Sequence, residues 1–228
     1  MKLETKTTIF NFKEDDKCYA TALAKYIDAH FCEVFDFFKL KFCGQKVEIE
    51  IIPTKQEYDK QFKKENNFSD DLVVSKSSRG CFANRKILYL SINDYKNTTH
   101  AFEPDDFEHA FEDYKKTLMH EYVHFVNELF KQEHECGRTE KFLSEGIAIY
   151  LSHQKDNQEI CFDFSCDDVL DYKHTNYNAY YLLTKYFVEN YDRNFVLDIF
   201  QSNRRSRNFL QKELFDKAKK YYIKNVTK

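Results

Sequence analysis

His120-Glu121-Tyr122-Val123-His124 lies inside the stretch that decides how this chain is read. Around it Phe107, Phe111, Tyr114, Leu118, Tyr122, Phe125 and Leu129 recur at three- and four-residue steps, and Met119, Val123, Val126 and Phe130 sit beside that stripe. The spacing predicts one long helix from about Pro104 to Phe130, apolar around much of its circumference and so buried on most sides. The polar strip left over carries Thr117, His120, Glu121, His124 and Asn127. Polar groups on a buried helix need partners.

A metal site would supply them. Histidines four apart share one helical face a turn apart, so both rings can reach a single zinc at about 2.0–2.1 Å. The glutamate after the first histidine then projects beside the metal. There it can take a proton from zinc-bound water, whose pKa falls to about 7. Catalytic zinc takes a third protein ligand and keeps one position open. A third histidine six residues on is excluded, because Asn127 stands where that pattern needs glycine and Phe130 where it needs histidine. A glutamate from a following helix is the other solution. Glu145, with 20 residues between it and His124, is the first choice, in Leu143-Ser144-Glu145-Gly146-Ile147-Ala148, and Glu140 is its rival. Glu128 shares the first helix, and Glu133 and Glu135 fall in the turn. The small Gly146 and Ala148 would let the second helix approach the first closely.

Outward from this centre, the amino-terminal half mixes strands and helices. A short strand is expected at Thr8–Phe12, then a helix from Asp15 and Asp16 as caps to about Phe42, with Gly44 at its stop. Lys46–Pro53 alternates as a strand, Lys55 to about Lys64 reads as a short polar helix, and Leu72–Ser75 and Lys86–Ile92 as further strands. His30 falls on the apolar side of the first helix and reads as a core residue. The acidic run Glu103–Asp106 suits a helix start. Beyond Gly137 helices are expected at Thr139 to about Ser152, Asn176–Tyr191 and Arg205–Tyr222, with Ile160–Phe164 as a short strand. Scarce glycine (4) and proline (2) leave no linker, so the expectation is one domain over 1–228. About 1–100 would form its strand-and-helix part and about 101–228 its helical part.

Composition removes several alternatives. Hydrophobic residues at 42 %, with 23 Phe and 16 Tyr, belong to a globular chain rather than a disordered one. A net charge of −3 without a basic stripe gives nucleic acid no footprint. No apolar run reaches a membrane span, and none near Met1 suits a secretory signal, so the expectation is a cytoplasmic protein without membrane or nucleic-acid partners. Seven cysteines, an odd number at irregular spacing, read as reduced and mostly buried thiols. Cys161 and Cys166, with His134 or Cys136, make a poor second metal signature.

HEYVH followed by FLSEGIAIYLS resembles the peptidase MA-like gluzincins, relatives of thermolysin, the zinc aminopeptidases and clostridial collagenases. KVEIEIIPTKQEY, GCFANRKILYLS and the Tyr177–Tyr191 phrase occur in similar order there. The likeness spans roughly residues 8–200, with only the HExxH and SEGIA phrases specific. It implies an α+β, zincin-like domain with a mixed sheet near the amino terminus, an HExxH active-site helix and a mainly helical carboxy-terminal half. It also implies a zinc peptidase carrying one zinc per chain, ligated by His120, His124 and Glu145. Glu121 would be its general base, and its substrate a peptide or protein. Lys86–Ile92 would be the edge strand to which substrate pairs. Tyr177, then Tyr180 and then His174, would stabilise the oxyanion. The signature by which zinc aminopeptidases hold a free amino terminus is absent, pointing to an endopeptidase. Ile149 stands where thermolysin-like enzymes place an aspartate that orients a zinc histidine. The competing expectation is a catalytically silent scaffold that binds a peptide or partner.

Overall fold

The computed structural model describes residues 1–95, 107–137, 139–156, 158–170, 175–201 and 212–226. It is α+β, with a mixed five-stranded sheet near the amino terminus. The chain divides into two compact units, Met1–Val126 and Asn127–Lys228, and the boundary falls within one continuous helix.

In the first unit the strands are β1 (Lys2–Glu4), β2 (Thr8–Asn11), β3 (Val47–Ile52), β4 (Gly80–Ala83) and β5 (Lys86–Leu90), in spatial order β1-β2-β3-β5-β4. The central three run parallel, and β1 and β4 close the two edges antiparallel. The parallel neighbours β2 and β3 are joined through helix α1 (Lys17–Phe37), and β3 leads into helix α2 (Lys55–Glu65). Parallel strands require such crossovers. In register, Phe10 lies beside Ile49, Ile49 beside Ile87 and Ile51 beside Tyr89, so one sheet face is a continuous apolar layer. Tyr58 of α2 packs with Ile52, Leu88 and Leu90 on the other face. With both faces covered, β5 has no polar alternation to show.

A short helix α3 (Ile92–Tyr95) follows β5, and α4 (Phe107–Glu133) carries the central motif. The Tyr114 ring of α4 packs tilted against that of Tyr89, 4.6 Å between centroids, and its hydroxyl donates to the Leu90 carbonyl at 3.0 Å. Burial raises the Tyr114 hydroxyl well above its usual pKa, so it stays a neutral donor.

The second unit is helical: the end of α4, then α5 (Lys141–Leu151), α6 (Cys166–Leu170), α7 (Tyr177–Tyr191), α8 (Arg193–Gln201) and α9 (Lys212–Val226). Asn176 caps α7 by accepting the Ala179 N–H at 3.0 Å. Gly146 of α5 faces α7: a Cβ there would stand 2.2 Å from Thr184 Oγ1 and 2.7 Å from the Tyr180 carbonyl oxygen. Glycine at 146 therefore serves the approach to α7, not the approach to the motif helix that its small size suggested.

Several expectations need correction. The first helix ends at Phe37, five residues before Phe42, and Lys39 turns left-handed at φ 55°. Its apolar pattern continues because the Phe42 ring packs back on Phe31 and Phe35, 5.0 and 5.3 Å away. Asp16 makes no cap; its carboxylate accepts the Ser91 hydroxyl at 2.6 Å. Leu72–Ser75 is no strand, for it joins no ladder among the described residues and Val73 is 90 % exposed. Among the described residues Ile160–Phe164 also lacks a pairing strand; Phe162 and Phe164 pack instead on Phe215. Lys86–Leu90 is an inner strand. The edge is β4, folded back through Asn84 and Arg85 at φ 50° and 65°, which is the type I′ signature. None of the seven thiols is in a disulfide and none is fully buried: Cys18, Cys32, Cys43 and Cys161 are exposed. His30 is half-buried, with Nδ1 2.8 Å from the Tyr26 carbonyl. Glu103–Asp106, His174 and the start of the helix expected from Arg205 lie outside the described residues. Among the described residues, no helix is long and apolar enough to cross a membrane.

Candidate metal centre

Along α4 the polar strip finds its partners one by one. Thr117 Oγ1 lies 2.9 Å from the Tyr95 hydroxyl. Glu121 Oε2 accepts the backbone N–H of Phe82 at 2.8 Å. Asn127 Nδ2 donates to Ser144 Oγ at 3.1 Å, tying α5 to α4 one residue before Glu145. Each contact pairs a polar atom on a helix otherwise committed to apolar packing, although among the described residues Asn127 Oδ1 stays buried without a hydrogen-bond partner.

His120 and His124 are placed differently. Their Nε2 atoms face each other 3.1 Å apart, with the rings edge to face at 4.8 Å between centroids. Ligand atoms of His120, His124 and Glu145 all lie within 4.8 Å of one another. Among the described residues this is the one such group of histidine, cysteine, aspartate and glutamate. Two nitrogens on one tetrahedral zinc at about 2.0–2.1 Å are separated by about 3.3 Å, close to the spacing found here. Two imidazoles and one carboxylate are donors that zinc accepts, and the three side chains therefore fit the ion. His120 is buried at 8 % exposure, while His124 and Glu145 are partly open, so the group is reachable by solutes.

The rival carboxylates lie elsewhere. Glu128 and Glu135 line a surface groove with Lys131, Gln132, Cys136 and Gly137. Glu133 is exposed, and Glu140 occupies the extended position just before α5. Of the two tyrosines, Tyr177 opens α7 with 49 % of its surface exposed, whereas Tyr180 is fully buried, its ring 6.3 Å from that of Tyr177. Ile149, four residues after Glu145, is buried.

Sequence reasoning missed the contribution of β4. Gly80 lies against Glu121, since a Cβ at 80 would meet Glu121 Cγ at 3.0 Å and Oε1 at 3.2 Å. Phe82 sets its ring 6.1 Å from Phe125, one turn beyond Glu121 on α4. Before β4, Arg79 bonds Asp113 Oδ2 at 3.2 Å and stacks over Tyr95, whose hydroxyl donates to the same oxygen at 2.6 Å. Burial raises the Tyr95 pKa, which keeps that hydroxyl protonated as a donor. The signal available was one of only four glycines, standing at the first position of β4.

No protein-family model, curated protein or solved structure matches this chain.

Proposed function

We propose that the chain is a gluzincin-type zinc peptidase built on a zincin-like scaffold, hydrolysing internal bonds of a peptide or protein. The observation that carries this reading is the convergence of His120, His124 and Glu145 within 4.8 Å, with Glu121 on the same helix. A zinc ion held by those three side chains would supply the Lewis-acid charge that makes a water acidic near neutral pH and polarises a peptide carbonyl. Glu121 takes a proton from the attacking water onto its carboxylate and delivers it to the departing nitrogen, serving as base and then as acid. Tyr177 is the donor assigned to the oxyanion, because its ring is open to solutes while Tyr180 is enclosed.

The test is cleavage of an unbiased peptide library by the zinc-loaded protein and its Glu121→Gln variant. Glutamine keeps the shape and the N–H acceptor but takes no proton. Wild type should cut internal bonds, and the variant should retain zinc yet lose at least about 100-fold in turnover. Equal activity in the variant would remove Glu121 from the mechanism. Absence of any cleavage by wild type would leave a scaffold that binds without cutting.

A further inference from the structure

In the β4–β5 ladder the Leu90 N–H bonds to the Arg79 carbonyl at 2.9 Å, and Gly80 lies opposite Tyr89 and Phe82 opposite Ile87. Antiparallel pairs alternate between bonded and non-bonded. Arg79, Cys81 and Ala83 therefore turn their backbone groups toward β5, while Gly80 and Phe82 turn theirs out from the edge of the sheet. An outward N–H on an edge strand normally meets water or an added strand. That of Phe82 instead donates to Glu121 Oε2 at 2.8 Å. Donation to a carboxylate is charge-assisted and roughly twice as strong as a neutral bond. Two residues earlier on the same face, the missing side chain of Gly80 leaves the space taken by Glu121 Cγ and Oε1. Phe82 on Phe125, and Arg79 on Asp113, fasten the strand to α4 on either side of that contact.

We infer that β4 is the holder of the Glu121 carboxylate: the Phe82 N–H fixes one oxygen, and glycine at 80 lets the side chain lie flat against the strand. Gly80 and Phe82 are then positioning residues, acting through Glu121. The consequence for turnover rests on the peptidase reading, whereas the hold itself does not.

Two measurements on the full chain separate these claims. The first is hydrogen exchange at the Phe82 amide, read against the Cys81 amide, which points into the ladder. Glu121→Ala should speed exchange at Phe82 by about tenfold and leave Cys81 unchanged, whereas Glu121→Gln, which still offers an oxygen, should retain protection. Equal Phe82 exchange in wild type and Glu121→Ala would overturn the hold. The second is steady-state hydrolysis by Gly80→Ala and by a protein with an ester in place of the amide at position 82, which deletes only the N–H. Turnover should fall about 100-fold in Gly80→Ala and about tenfold in the ester, with KM and bound zinc unchanged. Wild-type kcat in both would overturn the positioning role. Should Gly80→Ala fail to fold, the ester decides alone. Should wild type hydrolyse nothing, the peptidase reading and the positioning role fall together, and the exchange experiment still decides the hold.

Discussion

Glu121 and the two histidines beside it were legible because a helix converts spacing into direction: residues four apart must share a face, whatever the tertiary fold. What surrounds Glu121 was not legible. The Phe82 N–H is a backbone group, identical at every non-proline position, and nothing in the residue type marks it as the partner of a carboxylate 39 residues away. The tyrosines lie between these cases. Helical spacing gives Tyr177 and Tyr180 one face, but the depth of each depends on how α7 packs, and there the two differ by half the surface of a side chain. That difference yields a prediction. Tyr177→Phe, which deletes only the hydroxyl of a half-exposed side chain, should lower turnover by about 100-fold while zinc content and melting temperature hold. Unchanged turnover with normal zinc would assign Tyr177 to the surface.

Among the elements, those with strong periodicity were read to within a few residues, as β3, α2, α5 and α7 show. Failures occurred where a pattern belonged to packing rather than to backbone geometry. Phe38 and Phe42 continue the apolar stripe of α1 after the helix has ended, because coil can bury rings as well as a helix can. Leu72-Val73-Val74 has the composition of a strand but no neighbour to pair with among the described residues, while Gly80-Cys81-Phe82-Ala83 lacks that composition and pairs with β5. Pairing is a tertiary event, and propensity only biases it. Gly146 supplies the test at this scale. Gly146→Ala places a methyl 2.7 Å from the Tyr180 carbonyl, part of the α7 backbone, as well as 2.2 Å from Thr184 Oγ1. The variant should lose about 1–3 kcal/mol in denaturant unfolding. Adding Thr184→Ala should recover only part of that loss, since the carbonyl cannot withdraw without moving α7. Wild-type stability in Gly146→Ala would refute the tight α5–α7 contact.

For the molecule as a whole, a native-only metal site adds its binding free energy to stability. With free zinc at about 100-fold the Kd, the gain is about 2.7 kcal/mol, which for a chain of this size raises Tm by about 5–10 °C. A larger melting temperature with zinc than with a chelator is therefore expected for wild type, and no such difference for His120→Ala. The measurement that bears most directly on the centre is zinc stoichiometry by elemental analysis of purified wild type, His120→Ala, His124→Ala, Glu145→Ala and Glu140→Ala. Wild type and Glu140→Ala should each carry close to one equivalent, and the other three variants should lose most of theirs. Wild type without tightly bound zinc, or Glu145→Ala fully loaded while Glu140→Ala is empty, would contradict the centre described here.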